Sequence, residues 1–277
     1  LPTDWTGKLW AVSRGIAHAE ALPERPDYLL LTDADIHYDP EALAALVSSA
    51  VGKRLVLSSL MVALRCESFA ERALIPAFVF FFQMLYPFAW VDHPQRRTAA
   101  AAGGCMLVDR TALADAGGIA AIRGALIDDC ALARLMKPRG AIGLALGDHV
   151  RSLRPYPRLG DIRRMVVRSA YAQLKFSPSL LAAVVLAMAF VFIAPVALAF
   201  ATAGIAQMLG IASWLLMGLL FMPMLKRYRV PRTTAFALPC IAAAYLAFTI
   251  ESACQHVRGR GGMWKGRVNT STAQTPQ

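Results

Sequence analysis

Apolar and polar positions fall into blocks along the chain, and the blocks predict most of its elements. Residues 10–20 carry apolar side chains at helical spacing. Leu29-Leu30-Leu31 reads as a short, fully buried strand, and it runs into Asp33-Ala34-Asp35. Asp39-Pro40-Glu41 reads as a helix start, with Asp at the N-cap, Pro at the first helical position and Glu favoured by the dipole. Residues 54–64 and 103–108 read as strands, the second entered through Gly103-Gly104. Thr111 caps a short helix that stops at Gly117-Gly118. Asp128-Asp129 opens another, with Leu132, Leu135 and Met136 as its apolar stripe and Gly140 as its stop. A last strand covers 142–146. Helices and strands alternate, which predicts an α/β domain with a mostly parallel sheet over residues 1–175.

Beyond that domain the pattern changes. No charged residue occurs from Phe176 to Leu225, nor from Thr233 to Ile250. A spanning helix needs about 20 apolar residues, so 176–252 is predicted to hold three spans, near 180–200, 205–225 and 234–250. The stretch 73–91 is also apolar and uncharged. A crossing there would put Asp33/Asp35 and Asp128/Asp129 on opposite sides of the membrane. Pro76, Gln83 and Pro87, with Tyr86 and Trp90 at one end, suit a broken helix lying in the interface; a buried core helix is the alternative. Residues 253–277 are basic and then polar, and the polar end (269–277) is expected to be disordered.

Composition sharpens this reading. The chain is 57% hydrophobic and 17% charged, against roughly 25% charged in ordinary soluble domains. Its net charge of +11 is gathered beside the apolar runs: Arg151, Arg154, Arg158, Arg163, Arg164, Arg168 and Lys175 before the first, Lys226, Arg227, Arg229 and Arg232 between the two. That placement points to anionic headgroups and a cytosolic domain rather than to nucleic acid. Three spans from a cytosolic domain put the tail outside, against the pull of Arg258, Arg260, Lys265 and Arg267. The five cysteines show neither paired metal spacing nor a disulfide framework.

The carboxylates carry the candidate chemistry. Asp33 and Asp35 stand where a strand ends and a loop opens, the edge at which open α/β sheets bind ligands. They either cap the turn or hold something positive. Asp128 and Asp129 either cap a helix or serve a reaction. His149, beside Asp148, is a weaker metal candidate than a loop histidine.

In order, Gly7-Lys8, Asp33-Ala34-Asp35, Gly103-Gly104 and Asp128-Asp129 resemble the motifs of the family 2 glycosyltransferases. "GKLWAVSRG" is similar to that family's Gly-Lys-x-x-Ala-x-x-x-Gly segment, Asp33/Asp35 to its Asp-x-Asp, Gly103-Gly104 with Arg110 to its Gly-Gly strand, and Asp128-Asp129 to its Glu-Asp pair. The runs "VFFFQMLYPFAWV", "LIDDCALAR", "RSAYAQLKFSP" and "GGMWKGRV" resemble the hopene-associated glycosyltransferases of bacteria. The resemblance implies a nucleotide-diphospho-sugar transferase (GT-A-like) fold whose first strands precede Leu1. It also implies a bacterial inner-membrane enzyme that moves a sugar from a nucleotide-diphosphate donor to a lipid, of hopanoid type, with inversion. Asp129 is then the general base. Lys8, Asp33, Asp35, Gly103, Gly104, Asp128 and Arg168 would hold the donor, with Asp35 on a Mg²⁺ or Mn²⁺ ion, since both metals favour carboxylate and water ligands. Lys8, Arg96 or Arg97 could neutralise phosphate. The family's Gln-x-x-Arg-Trp motif is absent; Arg168, Tyr171 and Gln173 of "RRMVVRSAYAQL" are its nearest counterpart.

Two other classes compete. A transporter or assembly subunit with a cytosolic α/β domain would normally place an ionisable residue inside its spans, and these apolar runs contain none. A metal-dependent phosphohydrolase could reuse Asp-x-Asp, but the ordered set of four motifs argues against it.

Overall fold

The computed structural model describes residues 1–259. The basic and polar tail beyond them, including Arg260, Lys265, Arg267 and the stretch expected to be disordered, lies outside the described residues. The chain divides into two compact units: one holds Leu1–Arg65 and Gln83–Pro155, the other Cys66–Phe82 and the described chain from Tyr156 onward.

The first unit is built on α1 (Gly7–Glu20), β1 (Tyr28–Thr32), β2 (Ile36–Tyr38), α2 (Ala42–Gly52) and β3 (Leu55–Ala63). After α3 (Phe69–Leu85), most of which belongs to the second unit, come α4 (Phe88–Asp92), β4 (Cys105–Asp109), α5 (Arg110–Asp115), a 3₁₀ turn at Ile119–Ile122, α6 (Asp128–Met136) and β5 (Ala141–Ser152). The strand order is β1-β4-β3-β5-β2. The expected mostly parallel sheet is corrected to a mixed one. Among the described residues only β3 and β5 pair in parallel; β4 runs antiparallel to both β1 and β3, and β2 antiparallel to β5. An apolar run marks burial on both faces but carries no direction. A helical crossover permits parallel pairing but does not impose it, so the alternation of helices and strands left the direction open.

The β1 and β2 strands stand at opposite ends of that order, yet only Asp33-Ala34-Asp35 separates them. Four peptide steps reach at most about 14 Å, whereas four flat strand spacings need about 19 Å. The sheet therefore curls. Its longest strand, β5, follows β3 to an irregularity between Met61 and Ala63, and its last residues take β2 as partner (Val150 opposite Tyr38, Ser152 opposite Ile36). Ala42, Leu46 and Ala50 of α2 pack on Val62, Cys105, Leu107 and Val150 beneath.

Two predicted caps are displaced. The α2 helix starts two residues late because Asp39 faces elsewhere: its Oδ1 accepts from Arg151 at 3.0 Å, and His37 and His149 lie 3.5 Å from its oxygens. Asp109, not Thr111, caps α5 by accepting from the Ala112 N–H at 2.7 Å.

The second unit opens with a capping box: Ser68 Oγ accepts from the Glu71 N–H, and Glu71 Oε2 accepts from the Ser68 N–H at 2.8 Å. Glu71 is only 1% exposed, and its carboxylate also accepts from the N–H groups of Glu67 and Tyr156. Burial disfavours its charge, but those backbone donors outweigh it and hold its pKa below the usual value. Glu71 thus ties the two segments through which the chain enters this unit. Glu71→Ala strands three N–H groups and is expected to cost about 3 kcal/mol, read as a lowered unfolding midpoint in detergent. Glu71→Gln, which keeps an acceptor oxygen, should lose less. Equal midpoints for all three proteins would refute the clamp.

After Tyr156 the chain forms α7 (Leu159–Val167), α8 (Ala170–Gln173), α9 (Pro178–Met188), a π-helical turn (Ala189–Ile193), α10 (Ala194–Ala201), α11 (Ile205–Arg227), a 3₁₀ turn (Arg232–Ala237) and α12 (Leu238–Val257). Three continuous helical stretches, Pro178–Ala201, Ile205–Arg227 and Arg232–Val257, are long and apolar enough to cross a membrane, close to the predicted positions. Leu186, Phe190, Phe200, Ile205, Met208 and Leu220 point outward, as lipid-facing side chains do. The π turn stands just before Pro195, whose missing N–H breaks the α ladder. Where α10 meets α11, a Cβ on Gly210 would come within 2.7 Å of backbone, so only glycine fits. The stretch 73–91 is two helices, broken at Tyr86-Pro87. Within this unit α3 packs Phe81 on Phe192 and Tyr245, and Phe80 on Phe221.

Candidate active site

The first unit brings four of the sequence motifs together. Thr6 caps α1, its Oγ1 accepting from the Leu9 N–H, and this sets Lys8 in the first helical turn. Asp33 follows the last residue of β1, as predicted. Asp128 and Asp129 open α6. The Lys8 ammonium donates to Asp33 Oδ1 and Asp128 Oδ2, both at 2.9 Å. Burial works against that charge, but the carboxylates of Asp128 and Asp33 more than offset it, and the lysine pKa is raised.

Asp129 is held by backbone. Its Oδ2 accepts from the Gly103 N–H at 3.0 Å and its Oδ1 from the Cys130 N–H at 2.7 Å. Burial, reinforced by the charge of Asp128, pushes its pKa up to about 6, against the opposing pull of the Cys130 N–H, Lys8 and the Gly103 N–H. A side chain at position 103 would crowd this arrangement: a Cβ there would sit 3.3 Å from both Asp129 Oδ2 and Lys8 Nζ. Gly104 works differently. Its carbonyl accepts from the hydroxyls of Thr32, at 2.9 Å, and Tyr38, at 3.3 Å, which pins this turn to both ends of the Asp33–Asp35 turn. The Tyr38 hydroxyl also donates to Thr32 Oγ1. Neither Thr32 nor Tyr38 stood out in the sequence, because a hydroxyl flanking an acidic turn has no periodic signature.

Asp35 stands apart from the lysine. Its carboxylate, 37% exposed, has Arg154 Nη1 at 4.0 Å, beyond hydrogen-bonding distance, while its backbone carbonyl accepts from the Leu153 N–H. Arg154 was legible only as one of a basic run. Beside Lys8, a small cleft is lined by Leu31, Met106, Ile119, Ile122, Gly103 and Asp128. Among the described residues no three His, Cys, Asp or Glu side chains form a ready cage for a metal ion. Hard carboxylate oxygens on an accessible turn do fit a Mg²⁺ or Mn²⁺ ion that takes most of its ligands from phosphate and water.

Other candidates lie elsewhere. Arg110 donates to the Pro26 carbonyl and to Glu20, which ties β4 to the chain before β1. Arg96 stacks over the Trp90 ring at 5.1 Å. His149 faces Asp39. Arg168 is the C-cap residue of α7, in the second unit. Tyr171 is buried there, its N–H bonded to Ser252 and its hydroxyl to the Phe176 carbonyl.

The sequence model of glycosyl transferase family 21 matches residues 15–269. The match takes in both acidic turns and the glycine turn, and begins after Lys8. No curated protein matches.

Proposed function

The chain belongs to glycosyl transferase family 21, and from that premise we propose that it transfers a sugar from a nucleotide-diphosphate donor to a lipid hydroxyl, with inversion. The observation that carries the reading is the meeting of Lys8, Asp33, Asp128 and Asp129 at the Gly103 turn. Three helices able to cross a membrane support a lipid acceptor. The resemblance to hopene-associated enzymes favours a hopanoid-type lipid, a bacterial inner membrane and a cytosolic catalytic domain of GT-A type. On this reading the stretch 73–91 lies in the membrane interface.

Asp129 takes the proton of the acceptor hydroxyl. The hydroxyl oxygen forms its bond to the anomeric carbon as the bond from that carbon to the β-phosphate oxygen breaks, and the electron pair leaves with the nucleotide diphosphate. A base poised near neutrality suits this step, and burial brings Asp129 toward that range. Asp33 and Lys8 hold the donor, and Gly103 and Gly104 let backbone come close to it. Asp35 is the carboxylate that would hold Mg²⁺ or Mn²⁺. When bound, that ion supplies positive charge to the leaving diphosphate.

The test is transfer itself. Full-length protein in membranes, given a panel of nucleotide sugars, should yield one glycolipid of inverted anomeric configuration, identified by mass and by NMR. Retained configuration would reject the single displacement. Failure to transfer any sugar to lipid would reject the function.

A further inference from the structure

Lys8 serves two turns at once. Its one ammonium lies 2.9 Å from Asp33, on the turn proposed to take the donor, and 2.9 Å from Asp128, next to the proposed base. The same Gly103 site abuts both Lys8 Nζ and Asp129 Oδ2. The groups that face Asp129 are Asp128 and Cys130 on its own helix, Lys8 from α1, the Gly103 N–H, and Tyr86 from the segment between α3 and α4. Burial pushes the Cys130 thiol up to about 12 and also raises the Tyr86 hydroxyl, so both are neutral near pH 6. Among the described residues, Asp128 and Lys8 are the charges that act on Asp129, with opposite signs, while Arg134, farther along α6, acts on Cys130 and Tyr86.

Resting on the reading of Asp129 as base, we propose that Lys8 couples donor binding to base strength: a diphosphate seated at the Asp33 turn draws the ammonium off Asp128, and the uncompensated Asp128 carboxylate makes Asp129 the stronger base. An ammonium with three donors and a flexible stem can exchange a carboxylate for a phosphate oxygen without moving its helix. The base thereby becomes strongest when a donor is present to be attacked. Asp128 acts in this step through Asp129 and is a positioning residue.

Full-length enzyme in membranes tests the coupling through two pH profiles. The acidic limb of kcat/KM for the donor reports the base in free enzyme, and that of kcat reports it in the loaded complex. In the wild type the kcat limb should lie higher by about one pH unit. Lys8→Met should raise the kcat/KM limb to meet the kcat limb. Asp128→Asn should lower both limbs and bring them together, whereas Lys8→Arg, which keeps the charge, should preserve the separation and report on folding. Coincident limbs in the wild type would overturn the coupling, and so would a separation that survives both Lys8→Met and Asp128→Asn. If Asp129→Asn leaves the acidic limb in place, the limb belongs to another group, and the base assignment fails before the coupling is reached.

Discussion

Asp129→Asn is expected to lower kcat by about 10²- to 10⁴-fold, the usual cost of losing a general base, with donor affinity nearly unchanged. The amide can still accept from the Gly103 N–H that holds Asp129 Oδ2, so the turn should survive the substitution. In the wild type the base must be ionised to act. Burial and the charge of Asp128 raise its pKa from the ordinary carboxylate range to about 6. The sign follows: kcat/KM for the donor should be flat above that value and fall tenfold per pH unit below it, and the fall should vanish from the residual activity of Asp129→Asn. The measurement is a pH series on membranes carrying each protein, with nucleotide binding followed separately. A variant that no longer binds nucleotide but keeps its kcat would show that Asp129 holds donor and is no base.

Chelation and Asp35→Asn should each reduce turnover by about 10²-fold or more, the scale of removing one preorganised charge from a leaving group. Asp35 is singled out because its neighbour Asp33 is already engaged by Lys8 at 2.9 Å, whereas among the described residues the Asp35 carboxylate has a guanidinium no nearer than 4.0 Å. A divalent ion added back should rescue the chelated wild type. In Asp35→Asn the half-saturating Mn²⁺ concentration should rise. Undiminished turnover after chelation, or in Asp35→Asn, would remove the metal from the reaction.

Several elements were readable along the chain. Leu29–Leu31 is part of β1, the acids follow its end, Asp128-Asp129 opens α6, and the three apolar stretches are helices of spanning length. Most of the assignments that needed correction depend on what lies across space. Asp39 looked like an N-cap, but Arg151, far along the chain, takes its carboxylate. Thr111 looked like a cap, but the strand before it already ends in Asp109, one residue ahead of the helix. Arg110, which fits a glycosyltransferase motif by position, is spent on Pro26 and Glu20. The short β2 carries no period of its own and exists because Val150–Ser152 offers it a partner.

Local order is legible in the sequence because its causes are local: a helix needs its apolar stripe and its caps within a few residues, and a span needs only length and the absence of charge. These decided the elements, the apolar C-terminal segment and the spacing of the acids. Strand direction and the sharing of Lys8 between Asp33 and Asp128 were decided by the tertiary structure alone. So were the hydroxyls of Thr32 and Tyr38 on the Gly104 carbonyl and the burial that shifts Asp129. Each depends on groups far apart in the chain that meet only in the folded unit, and the energy of such a contact has no trace in the residues on either side of it.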